Sequence, residues 1–284
     1  SDVLVVGGGL AGLTAATFLG RAGLRVALLE AGPEPGGRAC TTEREGFLLN
    51  LGPHALYRKG VGASVLAELG VTVPGVDPPA DGLLTEYGGE APIPATPLAL
   101  LRHPGFTLRE RLEALRFFAA VGRGPVPPPD LAFDAWLTAR QTPHAVARLA
   151  RAFVRLSTYA ADTDLLSAEA AVLQLRQALG GVSYLEGGWG RIVSGLLRRA
   201  REAGVEIRTR CAVRSVASGP AGVSVTLADG TARAARAAVL AVPPRHARAL
   251  LGSPAGGELR GVTETARPVL ASCLDIGLRR LPRP

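Results

Sequence analysis

The chain opens on an unbroken apolar run, Val3-Leu4-Val5-Val6, of the kind that suits a parallel strand buried on both faces. A glycine cluster follows, then apolar spacing for a helix from about Leu10 to Ala22, closed by Gly23 at the C-cap position. Arg25-Val26-Ala27-Leu28-Leu29 reads as a second strand with Glu30 at its end. Further on, Leu83 to Pro94 with Gly88-Gly89 at its centre predicts a hairpin. Residues 107–121 carry helical periodicity, with Leu108, Leu112, Leu115 and Phe118 recurring at threes and fours. The break Gly124-Pro125-Val126-Pro127-Pro128-Pro129 separates them from a helical region of roughly Leu131 to Leu179, interrupted near Thr142-Pro143 and Asp162-Thr163. A helix from Arg191 to Ala203, ending at Gly204, leads into strand-like segments at 205–210, 211–216, 223–227 and 237–242, the last stopped by Pro243-Pro244.

Length and composition change this picture in four places. At 284 residues the chain exceeds a comfortable single core, so two lobes are expected. The net charge of +8 is carried almost wholly by arginine, Lys59 being the one lysine. The arginines are scattered, without a like-charge block or interleaved aromatics, so a nucleic-acid partner is not expected, while a basic rim facing anionic lipid stays open. Cys40, Cys211 and Cys273 are an odd count with no CxxC spacing, which argues against a disulfide framework or zinc site and for a reducing, cytoplasmic compartment. The sequence contains no methionine and stops at Pro284 just after a strand-like segment, so it is expected to be a piece of a longer chain. It carries no usable signal of oligomeric state.

The uncharged run from Val3 to Gly20 is 18 residues, just the length of a membrane span, but its glycine cluster has a better explanation. Gly7-Gly8-Gly9-Leu10-Ala11-Gly12 fits G-x-G-x-x-G between a strand and a helix. Gly7 permits the tight turn, Gly9 lets the backbone approach a pyrophosphate at the helix N-terminus, and Gly12 and Ala16 let the helix sit close to the sheet. Glu30 lies 18 residues after Gly12, near the spacing at which a carboxylate accepts hydrogen bonds from an adenosine ribose, and it would repel a 2′-phosphate. Dinucleotide binding follows, with NADP disfavoured. The motif alone does not separate FAD from NAD.

Gly36-Gly37-Arg38-Ala39-Cys40-Thr41, and then Gly46-Phe47-Leu48-Leu49-Asn50-Leu51-Gly52-Pro53-His54, resemble the FAD-dependent amine oxidase, protoporphyrinogen oxidase and phytoene desaturase superfamily, nearest its desaturase-like members. The family's longer pattern is R-x-G-G-R-x-x-[ST]; Glu34 stands at its first arginine, a departure that weakens the amine oxidase branch. The resemblance implies an α/β fold, a Rossmann-type FAD-binding domain with an inserted, largely helical substrate lobe. It implies FAD as cofactor, held by Gly7, Gly9, Leu10, Ala11, Gly12, Glu30, Ala31, Gly36, Gly37 and Arg38. Leu51, Gly52 and Pro53 would lie near the isoalloxazine, His54 would be structural, cofactor-contacting or substrate-side, and the Val213 backbone would hold the adenine. The implied division is 1–78 and 184–252 for the FAD domain, 79–183 for the substrate lobe, and 253–284 for a truncated return to that lobe.

The stripe Phe153, Leu156, Tyr159 and Ala160 would line a cavity or, the commoner case, serve as core, and Trp189 is open to the same two readings. There is no P-loop, HExxH or GxSxG, and His54, His103, His144 and His246 are dispersed, so no catalytic residue and no metal site are assigned. The expected activity is an FAD-dependent oxidoreductase that dehydrogenates a C–H or C–N bond of a lipophilic small molecule, with hydride passing to flavin N5 and peripheral membrane contact left open. The alternative is a non-catalytic escort protein on the same fold that binds a lipidated partner.

Overall fold

A computed structural model describes residues 1–52, 55–78, 82–86, 89–252 and 255–280. The chain begins with β1 (Val3–Val6), α1 (Leu10–Arg21) and β2 (Val26–Leu29), close to the bounds the apolar pattern predicts. A 3-10 turn over Gly37–Ala39 leads into an antiparallel hairpin of β3 (Thr41–Arg44) and β4 (Phe47–Asn50). Then come β5 (Leu56–Tyr57), α2 (Val61–Glu68) and β6 (Gly75–Val76).

The middle of the chain is helical apart from one antiparallel hairpin, β7 (Leu83–Glu86) with β8 (Gly89–Pro92), where the pattern places it; its turn lies outside the described residues. The helices are α3 (Pro97–Arg102), α4 (Leu108–Arg123), α5 (Phe133–Ala139), α6 (His144–Thr158) and α7 (Ala168–Leu179). Their core gathers Phe117 and Val121 of α4, Phe133 and Leu137 of α5, Val146 and Val154 of α6, and Val172 and Leu175 of α7. Thr107 and Glu110 form a reciprocal capping box that starts α4. Arg176 of α7 closes the other end by donating to the Val121 carbonyl at 2.6 Å and to the Gly124 carbonyl.

Two stripes behave differently from their periodicity. Leu108 and Leu112 are 68% and 43% exposed, and α4 instead buries Ala114, Phe117 and Val121. The spacing of leucines could not distinguish this face from its neighbour, because Leu115 and Phe118 border both. In α6 the buried face is Val146, Ala147, Leu149, Ala150 and Val154. Phe153 packs edge-on against Phe118 and Ala160 is buried, but Leu156 is 62% and Tyr159 45% exposed, so that stripe is split between core and surface. Trp189 is half-buried against the core of the first unit.

After the helices, β9 (Val182–Leu185) pairs antiparallel with both β5 and β6 and brings the chain back to the first unit. It is followed by α8 (Gly190–Glu202), β10 (Glu206–Arg208), the meander β11 (Val213–Gly219), β12 (Gly222–Leu227) and β13 (Ala232–Ala235), then β14 (Ala237–Leu240), α9 (Pro244–Leu251) and α10 (Arg260–Thr265). The expected strand over 211–216 starts later, at Val213, because the backbone N–H groups of Arg210 and Cys211 bond to the Gly32 and Glu30 carbonyls instead of entering the meander.

One parallel sheet organises these parts, in the order β10-β2-β1-β14. Alternation decides what lies on each face. Val3, Val5, Val26 and Leu28 face a core with Leu13 and Ala16 of α1 and Ile192 and Leu196 of α8. Leu4, Ala27 and Leu29 face Val216, Val225 and Leu227 of the meander. Since β2 lies on one side of β1 and β14 on the other, the strand order switches direction at β1, and in open α/β sheets ligands bind outside the carboxyl ends of the strands at such a point.

Candidate dinucleotide site

The loop from β1 to α1 lies at that switch point. Gly7 has φ +103°, and a Cβ there would sit 2.6 Å from the Ala241 carbonyl oxygen, so the turn requires glycine. A Cβ on Gly12 would fall well inside the radius of the Gly7 carbonyl oxygen and also press on Ala241, so α1 packs as closely on the strand ends as the motif predicts. Gly9 differs in kind: its backbone is extended, and a Cβ would meet nothing within 4 Å. It caps α1 without a side-chain hydrogen bond, leaving the first-turn amides, next to half-buried Leu10 and exposed Ala11, facing open space. An anion fits there on both charge and shape.

Glu30 holds the other side of the loop. Its carboxylate accepts from the Gly8 N–H at 2.6 Å and from the Gly32 N–H at 2.7 Å, bridging the glycine loop and the segment after β2. Two oxygens with about four lone-pair directions leave capacity for further donors. Ala31 beside it is exposed. The two N–H donations from Arg210 and Cys211 bring Val213 to this edge, where it opens β11 opposite Leu227.

The two glycine motifs, some thirty residues apart, are physically one structure. Gly36 donates its N–H to the Gly8 carbonyl at 2.8 Å and forms a parallel bridge with Gly9. Gly36 and Gly37 both have positive φ, and a Cβ at Gly36 would strike Cys40 Sγ at 2.7 Å. Arg38 follows in the 3-10 turn with its side chain exposed. Burial, with the Glu30 and Glu34 carboxylates nearby, pushes the Cys40 thiol up, so it stays protonated and is a poor nucleophile. No group of three or more His, Cys, Asp or Glu among the described residues could hold a metal.

Periodicity and spacing did not reveal a third junction. Thr41 Oγ1 donates to Asn50 Oδ1 at 2.6 Å and accepts from the Gly190 N–H at 2.8 Å, and Asn50 Oδ1 accepts from the Trp189 N–H at 3.0 Å. Gly188, at φ +73°, cannot carry a side chain here, since a Cβ would lie 2.7 Å from Thr41 Oγ1. The β3–β4 hairpin is thereby fastened to the start of α8, and Leu51 and Gly52 follow directly from it, Leu51 exposed and Gly52 at φ +88°. Pro53 and His54 lie outside the described residues. Thr41 and Asn50 each stand inside a recognised motif, but nothing in their spacing pairs them with Trp189 and Gly190. Asn50→Leu should lower stability by about 2–3 kcal/mol in denaturant unfolding, because it removes one acceptor from two donors, whereas Asn50→Asp should restore most of it. Equal stability of the Leu and Asp variants would show that the junction carries no weight.

A parallel sheet with a glycine loop at its switch point and an acid ending the second strand defines a dinucleotide-binding α/β protein. The chain belongs to the flavin containing amine oxidoreductase family, whose family model matches residues 10–269. Its cofactor is FAD. The chain is 52% identical to a carotenoid 3,4-desaturase of Haloarcula japonica over 52 residues, which are 18% of this chain and 10% of that protein. It is also 52% identical to an L-amino-acid oxidase of Naja atra over 56 residues, 19% of this chain and 11% of that protein. An oxidoreductase structure from Methanosarcina mazei aligns with a TM-score of 0.76 at 19% identity, over 94% of this chain and 66% of that one. These curated relatives are thus matched over about a tenth of their length, and the solved structure over about two thirds. Among the described residues no helix is long and apolar enough to cross a membrane.

Proposed function

We propose that the chain supplies the FAD-binding domain (1–78 and 184–252) and the cap lobe (79–183) of an oxidoreductase that dehydrogenates a C–H or C–N bond of a lipophilic small molecule, with 253–284 beginning a return to the cap. The observation that carries this reading is the junction of Gly8, Gly9, Glu30 and Gly36, two glycine motifs and an acid closed around open space at the switch point. The α1 amides beyond Gly9 would receive the pyrophosphate, and Glu30 the adenosine ribose, using lone pairs not taken by Gly8 and Gly32. Arg38, exposed beside this loop, would neutralise phosphate charge, and Val213 would present its backbone to the adenine. Leu51 and Gly52, positioned by the Thr41–Asn50 junction, would adjoin the ring system.

Bound FAD would supply the two-electron acceptor, and the protein's part is binding, orientation and exclusion of water. A lipophilic substrate is supported by the exposed Leu156 and Tyr159 at the end of α6 and by the desaturase among the relatives. The deciding test is the visible spectrum of the purified protein, with chromatography of any released cofactor. Released FAD, followed by anaerobic bleaching with a polyene, porphyrinogen or amine, is the expected outcome. A colourless protein that takes up no added FAD would reject the enzyme reading and leave the escort alternative.

A further inference from the structure

Between α9 and α10 lies an open cleft of about 420 Å3 whose walls carry Arg245, Arg248, Arg260 and Thr263. Spacing of three residues puts Arg245 and Arg248 on one face of α9, and Arg260 and Thr263 on the facing side of α10. The buried Thr263 hydroxyl accepts from Arg248 Nη1 at 2.9 Å and donates to the Arg260 carbonyl at 3.0 Å, which fixes the Arg248 head group. Arg245 reaches the Ala266 carbonyl at 3.4 Å. Among the described residues one carboxylate answers these three guanidiniums: Glu264 lies 3.8 Å from both Arg248 and Arg260.

The cleft is also lined by glycine. A Cβ at Gly252 or Gly257 would meet nothing within 4 Å, so bare backbone faces the space, while a Cβ at Gly256 would lie 2.7 Å from the Arg248 carbonyl oxygen. Three guanidiniums held around a cleft against their mutual repulsion, with net charge +2 after Glu264 is counted against them, are arranged for an anion. Guanidinium forks on two helices suit a tetrahedral phosphate, whose several oxygens can engage both walls at once.

We propose that this cleft is a binding site for a phosphate group, from either a phospholipid headgroup or a soluble phosphorylated compound. The test uses the full chain loaded with FAD, titrated calorimetrically with inorganic phosphate, and the double variant Arg245→Gln/Arg260→Gln, which leaves the Arg248–Thr263 contact in place. The expected result is saturable binding that weakens roughly tenfold or more in the variant, with Tm unchanged. Co-sedimentation with phosphatidylcholine vesicles containing phosphatidic acid, lost in the variant, assigns the phosphate to lipid. Phosphate binding without vesicle binding assigns it to a soluble compound. No binding, equal binding by both proteins, or release of FAD by phosphate would overturn the proposal, the last by showing that the arginines serve the cofactor.

Discussion

Gly12→Ala destabilises the protein by on the order of 3–5 kcal/mol and lowers Tm by about 10 °C, whereas Gly9→Ala leaves Tm nearly unchanged yet weakens FAD binding roughly ten- to a hundredfold. The two glycines sit three residues apart, Gly9 at the N-cap of α1 and Gly12 in its first turn, and the space around each makes the difference. A Cβ at Gly12 collides with the Gly7 backbone oxygen, so either α1 or the end of β1 must move, and both are in the core. A Cβ at Gly9 meets no protein atom, and the Gly9 backbone is extended, a conformation open to alanine. Alanine is the poorer N-cap by about 1 kcal/mol, but it loses about 0.4–1 kcal/mol less chain entropy on folding, so the two nearly cancel. The new methyl occupies the place where a pyrophosphate would approach the α1 amides, and lost charge-assisted hydrogen bonds cost about 1.5–3 kcal/mol. Thermal melting and a flavin fluorescence titration of the apoprotein separate the effects. Unchanged FAD affinity in Gly9→Ala would mean that the pyrophosphate lies elsewhere.

Glu30→Ala should act on both fold and cofactor. It deprives the Gly8 and Gly32 amides of their shared acceptor, for a loss of about 2–4 kcal/mol in denaturant unfolding, tempered because water can reach this half-buried edge. It also removes the group proposed for the ribose, so FAD should be lost on gel filtration. Glu30→Gln keeps the shape but has one acceptor oxygen, and its NH2 group would oppose one of the two amides, so an intermediate loss of stability is expected. If Glu30→Ala melts lower but retains FAD stoichiometrically, Glu30 is a loop brace and the ribose contact is misplaced.

Much of this was legible in the chain. The parallel strand β1, the helix α1 and the acid after β2 follow from a continuous apolar run, a 3.6-residue period and one glycine spacing, all local signals. The hairpin β7–β8 and the break before α5 were equally local. The buried face of α4 was not, since several of its faces carry large apolar residues and only the packing of α6 and α7 selects Phe117 and Val121 over Leu108 and Leu112. The split of the α6 stripe at Tyr159, whose left-handed backbone ends the helix, has the same origin.

By itself, then, the sequence determined the class of the first unit and the types of residue at its glycine loop, because turn geometry and burial of a strand on both faces are demands that a few neighbouring residues can express. Tertiary structure decided which distant segments share a site: Gly36 against Gly8 and Gly9, Thr41 and Asn50 against the start of α8, and three arginines, scattered among thirty-two basic residues, around one cleft. Such contacts depend on strand order and helix packing, which bring together groups many residues apart along the chain, and no local pattern records that distance.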